Sequence, residues 1–349
     1  MTGRWILQLN LHPKQRLSVN KNICMDISNE YAIGIDIGGT NTKYGVVNHR
    51  GEILKKGELK TEDYPEIEGF VDALYNTLNP VMDSLVRSKF HGIGIGAPNG
   101  NYYTGTIEYA PNLKWKGIVP LAKLISEKFD LPAALTNDAN AAAVGEMMYG
   151  AARGMKDFIM ITLGTGVGSG IVANGELILG HDGFAGELGH TIIIPGGRVH
   201  KGTGALGSLE VYASASGVVT TAIELLAAHP EQHSVLRKYP EKELNSKIIY
   251  EAALEGDKTA IDTYEFTGKI LGEAFANFVM FSSPEAIILF GGVTRAGNLL
   301  MKPIKENMEM NLLPIFRDKV KLIFSELKES DAAILGASAL AWETRPDNT

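Results

Sequence analysis

Tyr31-Ala32-Ile33-Gly34-Ile35-Asp36-Ile37-Gly38-Gly39-Thr40-Asn41-Thr42-Lys43 is the stretch on which the fold turns. Its first five residues form an apolar run without polar alternation, the mark of a strand buried on both faces. Two adjacent glycines then make a tight turn. A second strand is expected from Tyr44 to Asn48 and, after His49-Arg50-Gly51, a third from Glu52 to Lys60. The pattern is a hairpin of strand, Gly-rich turn and strand, not the strand-to-helix turn of a dinucleotide site.

Outward from this hairpin, strands and helices alternate. Ile67, Phe70, Val71, Leu74, Leu78, Val81 and Leu85 fall at helical spacing and predict a helix over 66–88. Gly92-Ile93-Gly94-Ile95-Gly96 reads as another buried strand, and a helix over 120–129, a strand over 133–136 and a helix from Asp138 to about 149 complete a βββαβα unit. Strands over 157–163 and 170–173 then flank Leu163-Gly164-Thr165-Gly166-Val167-Gly168-Ser169-Gly170 and open a second sheet. The architecture is therefore duplicated, although the residues are not. Residues 207–282 read as mostly helical, followed by a strand over 284–290, Gly291-Gly292-Val293, a helix over 298–313, a strand over 320–324 and a helix over 331–343. A small N-terminal α/β domain over 30–140 and a larger one over 141–330 are expected, with the last helix, 331–345, returning to the first domain.

Length and composition agree with that reading. The chain has 349 residues, enough for about two domains. Lys and Arg number 33 against 40 Asp and Glu, a net charge of −7, which argues against a basic surface for nucleic acid. No apolar run approaches the ~18–20 residues that span a bilayer, so no membrane partner is expected. The lone cysteine, Cys24, excludes an intramolecular disulfide and fits a reducing compartment, hence the cytoplasm. Residues 1–29 show neither periodicity and are expected to be disordered or poorly docked. With Met25 just before the first strand, residues 1–24 read as an over-extended start.

Four segments carry chemistry. Asp36-Ile37-Gly38-Gly39-Thr40 sets a carboxylate at a strand end beside two residues without Cβ, so that backbone amides can approach a phosphate and the carboxylate can hold Mg²⁺ through water. An ordinary tight hairpin is the alternative. In the 164–170 segment, glycines at alternate positions leave one face of the hairpin without side chains, as a phosphate touching main chain would need; a flexible turn is the alternative. Gly202-Thr203-Gly204-Ala205-Leu206-Gly207 matches G-x-G-x-x-G, but with no preceding strand it is not a dinucleotide fingerprint. Asn137-Asp138-Ala139-Asn140 lies where a strand meets an Ala-rich helix: one member suits an N-cap, the other a proton acceptor for a substrate hydroxyl. Glu187-Leu188-Gly189-His190, with Glu210 further on, offers the carboxylates and imidazole that suit a polyol, though a lone His is often structural.

These segments, in this order, resemble the ROK family of sugar kinases and sugar-responsive repressors, within the actin-like ATPase superfamily. The resemblance covers about residues 31–345 and implies an α/β, two-domain actin-like ATPase (ribonuclease H-like) fold with duplicated βββαβα units and an interdomain cleft. It implies ATP-dependent phosphorylation of a hexose 6-hydroxyl, glucokinase-like, with Asp138 as general base. An N-acetylhexosamine kinase or fructokinase is the alternative among enzymes, and a non-catalytic sugar sensor or regulator the alternative of another class. Sugar ligands would be Asn99, Asn112, Asn137, Asp138, Glu187, His190 and Glu210. ATP phosphates would lie on Asp36, Gly38, Gly39, Thr40, Asn41, Lys43, Gly164, Thr165 and Gly166, adenosine on Gly291, Gly292 and Val293, and Mg²⁺ on Asp36 through water. A homodimer is the family's usual state. The family's three zinc cysteines, however, align with Lys201, Thr203 and Ser208, so no zinc is expected and the loop must be ordered by packing or be looser.

Overall fold

The buried run of Tyr31–Ile37 is the middle strand, β1, of the first sheet in a computed structural model that describes residues 30–343. The expectations for residues 1–29, and for 344 and 345, lie outside those residues. Antiparallel strands β2 (Asn41–Asn48) and β3 (Ile53–Lys60) lie on one side of β1. After helix α1 (Ile67–Ser84), strand β4 (Phe90–Gly96) pairs parallel with β1 on the other side. Three short strands, β5 (Gly100–Asn101), β6 (Thr106–Glu108) and β7 (Ile118–Val119), form a small antiparallel sheet. Helix α2 (Leu121–Phe129) then leads to β8 (Ala133–Thr136), parallel to β4. Helix α1 stops at Ser84, short of the expected 88, because Val86 turns left-handed at φ 69°. Its Phe70, Leu74, Leu78 and Met82, spaced by four residues, make one stripe that joins α2 in the core on this face of the sheet.

Helix α3 (Asp138–Tyr149) begins as expected and leads to the second sheet. There β9 (Phe158–Leu163), β10 (Val167–Ala173) and β11 (Glu176–Leu177) run antiparallel. Four helices follow, α4 (Glu210–Ala213), α5 (Ala215–Ala228), α6 (Ser246–Leu254) and α7 (Lys258–Ser282). Strand β12 (Ala286–Phe290) returns parallel to β9, and helix α8 (Asn298–Asn311) leads to β13 (Lys321–Phe324). The strand orders β3-β2-β1-β4-β8 and β11-β10-β9-β12-β13 are equivalent, so the expected duplication is present. Among the described residues no helix is long and apolar enough to cross a membrane.

Helix α9 (Ala332–Glu343) packs on the first sheet, and glycines make that contact possible. A Cβ on Gly34 would overlap the carbonyl oxygen of Ile334, and one on Gly94 the carbonyl oxygen of Ala337. The helices α3 and α9 approach as closely: a Cβ on Gly145 would stand 2.7 Å from the Gly336 Cα, and one on Gly336 2.8 Å from the Ala141 carbonyl oxygen. Helix α3 meets the second sheet through Ala139 and Ala143. The two helices thus lie between the sheets with small residues at each contact, and the end of α3 is tied across by Glu146. That carboxylate accepts from the Ala151 amide at 2.7 Å and from the Ser325 hydroxyl. Burial pushes its pKa up.

Candidate active site

Asn137, extended at φ −71° and ψ 162°, caps α3: its side-chain oxygen accepts from the Asn140 amide at 2.7 Å. The capping role therefore falls on Asn137, which leaves Asp138 as the first helical residue. One Asp138 oxygen accepts from the Ala139 amide at 2.9 Å. Burial nonetheless pushes the carboxyl above the ordinary Asp range, even though solvent reaches the residue from the cleft. Three parallel-paired strands bring its neighbours alongside. Asp36 comes from the end of β1, and Gly96, the last residue of β4, stands between the acids: a Cβ there would be 3.5 Å from Asp36 Oδ1 and 3.7 Å from Asp138 Cα. Asp36, Lys43, Asp138 and Thr162 line one cavity of about 240 Å³ with walls from both sheets.

Asp36 is pushed up to about 6, first by burial and then by the charge of Asp138, with Lys43, its cross-strand partner on β2, pulling the other way. The two carboxylates offer oxygen ligands of the kind a hard divalent cation takes, but among the described residues no group of three or more His, Cys, Asp or Glu stands ready to hold one. The rise also has a sign for stability. Ionisation of Asp36 is easier in the unfolded chain, so it costs nothing well below pH 4 and opposes folding increasingly as pH rises through about 6. A rise from 3.8 to about 6 corresponds to roughly 3 kcal/mol. The Asp36→Asn variant, free of ligands, should therefore melt roughly 2–5 °C above the parent at pH 8 and level with it at pH 4. Equal melting temperatures at both pH values in a calorimeter would show that the site carries no such strain.

The two glycine hairpins differ in how they use their glycines. In the first, the Gly38 amide donates to the Asn41 carbonyl at 2.9 Å, Thr40 and Asn41 are exposed, and Gly39 lies against Asn112, whose carbonyl oxygen would be 2.7 Å from a Cβ. In the second, the bare face expected for phosphate is largely occupied. A Cβ on Gly170 would stand 2.7 Å from Ala143 Cβ, and one on Gly168 3.0 Å from Ala139 Cβ, so these two glycines admit α3. A Cβ on Gly166 would stand 2.5 Å from Glu210 Oε2, so this glycine admits that carboxylate. Gly164 alone of the four faces open space, beside the exposed Thr165. Gly291, at φ 108°, sits 2.5 Å by its would-be Cβ from the Leu163 carbonyl oxygen, which sets the third glycine motif beside this hairpin. Gly292 is open, whereas the Val293 side chain is buried in the core, leaving only its backbone for a ligand.

The remaining polar candidates converge from the second half. Ser169 on β10 fixes their turn, its hydroxyl donating to the Gly186 carbonyl and accepting from the Leu188 amide at 3.1 Å. Gly189 is packed on β10 so closely that a Cβ would overlap the Val167 carbonyl oxygen. Glu187 lies 4.0 Å from His190 Nε2. Crowding by protein raises the Glu187 pKa most, His190 lowers it, and the charges of Asp138 and Glu210 raise it further. Those four groups thus share one electrostatic neighbourhood. On the opposite side, Asn99 adopts φ 51° and spends its side-chain N–H on the Glu108 carbonyl at 2.9 Å, while Asn112 is exposed. The motifs gave no notice of Asn101. It is buried and donates to Glu108 Oε1 at 3.1 Å and to the Asp182 carbonyl at 2.8 Å, and Tyr103 donates to the Gly180 carbonyl at 2.9 Å, so the loop before Glu187 is joined to the small sheet.

The sequence model of the ROK family matches residues 32–344. The chain belongs to the ROK family. The glucokinase of Halalkalibacterium halodurans is 37% identical to it over 319 residues, 90% of this chain and 96% of that one. A ROK family glucokinase from Streptomyces griseus, solved in complex with glucose and AMPPNP, superposes with a TM-score of 0.74 at 34% identity, covering 90% of this chain and all of that one. The two-domain actin-like ATPase fold is thereby shown. A family repressor also matches: the xylose repressor of Caldicellulosiruptor bescii is 29% identical over 327 residues, 93% of this chain but 79% of its own length.

This ROK chain orders its loop beyond His190 with hydrogen bonds. The Ile193 amide donates to the Gly207 carbonyl at 2.8 Å, and Val199 bridges to Leu206. The Arg198 guanidinium lies over the Tyr212 ring at 4.6 Å and donates to the Val211 and Gly217 carbonyls and to Glu224. At the three positions of the family's cysteines, Lys201 is exposed, Thr203 bonds to His200, and the buried Ser208 hydroxyl has no hydrogen-bond partner. Beside the packing or looseness expected of this loop, His200 and Arg198 supply polar contacts that tie it to Glu210, Glu224 and the Val211 and Gly217 carbonyls.

Proposed function

We propose that the protein transfers the terminal phosphoryl group of ATP to the 6-hydroxyl of an aldohexose, with glucose as its principal substrate. The observation that carries this reading is the placing of Asp138 in a cavity walled by both sheets, one strand away from Asp36 and in the electrostatic reach of Glu187. Supporting it are the glucokinase relatives of similar length.

In this reading Asp138 accepts the proton of the sugar hydroxyl as that oxygen bonds to phosphorus and the bond to ADP breaks. Its helix cap is supplied by Asn137, so the carboxylate is free for that task. Glu187, His190 and Glu210 take sugar hydroxyls, and Asn99 and Asn112 close the other side through whatever polar atoms their own contacts leave. Phosphate oxygens lie on the backbone of the Gly38-Gly39-Thr40 turn and of Gly164-Thr165-Gly166, with Lys43 in the cavity it shares with Asp36 and Asp138, and the adenosine on the backbone of Gly291-Gly292. Mg²⁺, held by Asp36 through water, would neutralise charge on the transferring group. Sheet-to-sheet closure around the cavity would exclude water and so suppress ATP hydrolysis.

An ADP-release assay with glucose, mannose, fructose, N-acetylglucosamine and N-acetylmannosamine, each with ATP or polyphosphate as donor, tests this. Glucose with ATP is expected to give the highest kcat/KM. A higher value for an acetylated sugar would move the assignment to an amino-sugar kinase, and no sugar-dependent release would leave a sensor.

A further inference from the structure

His200 belongs to none of the motifs read from the sequence, yet both of its ring nitrogens are engaged and its side chain is only 15% exposed. Nδ1 accepts from the Thr203 amide at 3.0 Å and lies 2.8 Å from the Thr203 hydroxyl. An Nδ1 that accepts leaves the hydrogen on Nε2, which donates to Glu210 Oε1 at 2.7 Å. The other Glu210 oxygen accepts from the Val167 amide at 2.7 Å. The His200 ring also meets the His190 ring edge-on, with centroids 5.2 Å apart at 90°. Within the loop, the His200 amide donates to the Ala205 carbonyl at 2.7 Å and its carbonyl accepts from the Gly204 amide at 2.8 Å. One side chain therefore clamps the tip of the 198–207 loop, holds one carboxylate oxygen and bears on a second imidazole.

We infer that His200 is a positioning residue for the sugar, fixing Glu210 and His190 from a loop that no metal need order. The part of this that concerns sugar rests on the function proposed above; the clamp itself does not. A carboxylate held at both oxygens, one by the loop and one by the second glycine hairpin, is presented in a single rotamer, which lowers the ordering cost of binding.

Two measurements test it on the full chain. In ligand-free protein, hydrogen exchange over 198–207 should quicken about tenfold or more in His200→Ala and by less in Thr203→Val, with α3 and α7 unchanged. In steady-state assays His200→Ala should raise the hexose KM about tenfold or more. The ATP KM and kcat should stay within about twofold, because the side-chain bonds of His200 go to Thr203 and Glu210 and not to Asp138 or a glycine of either hairpin, and the Val167 amide keeps its hold on the other Glu210 oxygen. His200→Gln, whose amide can still donate to Glu210, should recover part of the affinity. Unchanged exchange in His200→Ala would overturn the clamp. Faster exchange with an unchanged hexose KM, or kcat and both KM values worsening together, would overturn the positioning role. A parent protein that phosphorylates no hexose would instead refute the kinase reading, and the exchange arm would still decide the clamp.

Discussion

Asp138→Asn is expected to fold, to bind sugar and nucleotide, and to turn over at least ~10²-fold more slowly. The substitution is a narrow one in this structure. Asn keeps the shape and one acceptor oxygen for the Ala139 amide, and the helix loses no cap because Asn137 provides it. What disappears is the ability to take a proton. As the proposed base, the parent's carboxyl has to be ionised, so kcat should fall as pH falls through its pKa. Since burial raises that pKa, the acid limb should lie above the pH expected of an ordinary aspartate. The residual rate of the variant should lack that limb. Turnover equal to the parent, with glucose affinity intact by calorimetry, would remove Asp138 from the chemistry.

Gly94→Ala should be severely destabilising for a single added methyl, on the order of 4 kcal/mol or more. The added carbon would overlap the Ala337 carbonyl oxygen and stand 2.8 Å from its carbonyl carbon and 3.1 Å from Leu340 Cβ. Backbone on one side and a central strand on the other leave nothing that can rotate away. The sheet and α9 must separate, which opens the contact that seats α9 beside α3. Gly69→Ala is the control, because on the exposed face of α1 the nearest neighbour is Tyr64 Cδ1 at 3.9 Å. There a helix gains from the exchange by up to about 1 kcal/mol. Urea midpoints should move in opposite directions, and a Gly94→Ala protein as stable as the parent would contradict the packing described for α9.

How much of this could be read from the residues depends on the range of the contact. Strands made almost wholly of apolar residues and glycine, such as β1, β4 and β9, announce themselves locally, as does the Asn137 cap at the start of α3. Glycines do not say what approaches them. Gly168 and Gly170 read as a cradle for phosphate because alternate positions lack side chains, and the same absence serves α3. Gly34 and Gly94 read as ordinary members of buried strands, and the helix that needs them bare, α9, lies near the far end of the chain. The small sheet of β5, β6 and β7 has no sequence signal because strands of two or three residues have no period to detect. His200 is hidden for another reason: its partners Thr203 and Glu210 meet it only once the loop has folded back. The site carboxylates are legible because each sits beside a strand end or a glycine turn.

The placing of α9 against β1 and β4 also constrains how the polypeptide can be made. Strands β1 and β4 leave a ribosome well before α9, the helix that covers them, because the whole second sheet lies between them in the chain. Until it arrives, the faces of Gly34 and Gly94 stay bare to solvent or to a chaperone, so the early half waits, incomplete, while the later half condenses. Completion of the first sheet therefore waits on a helix made after the second.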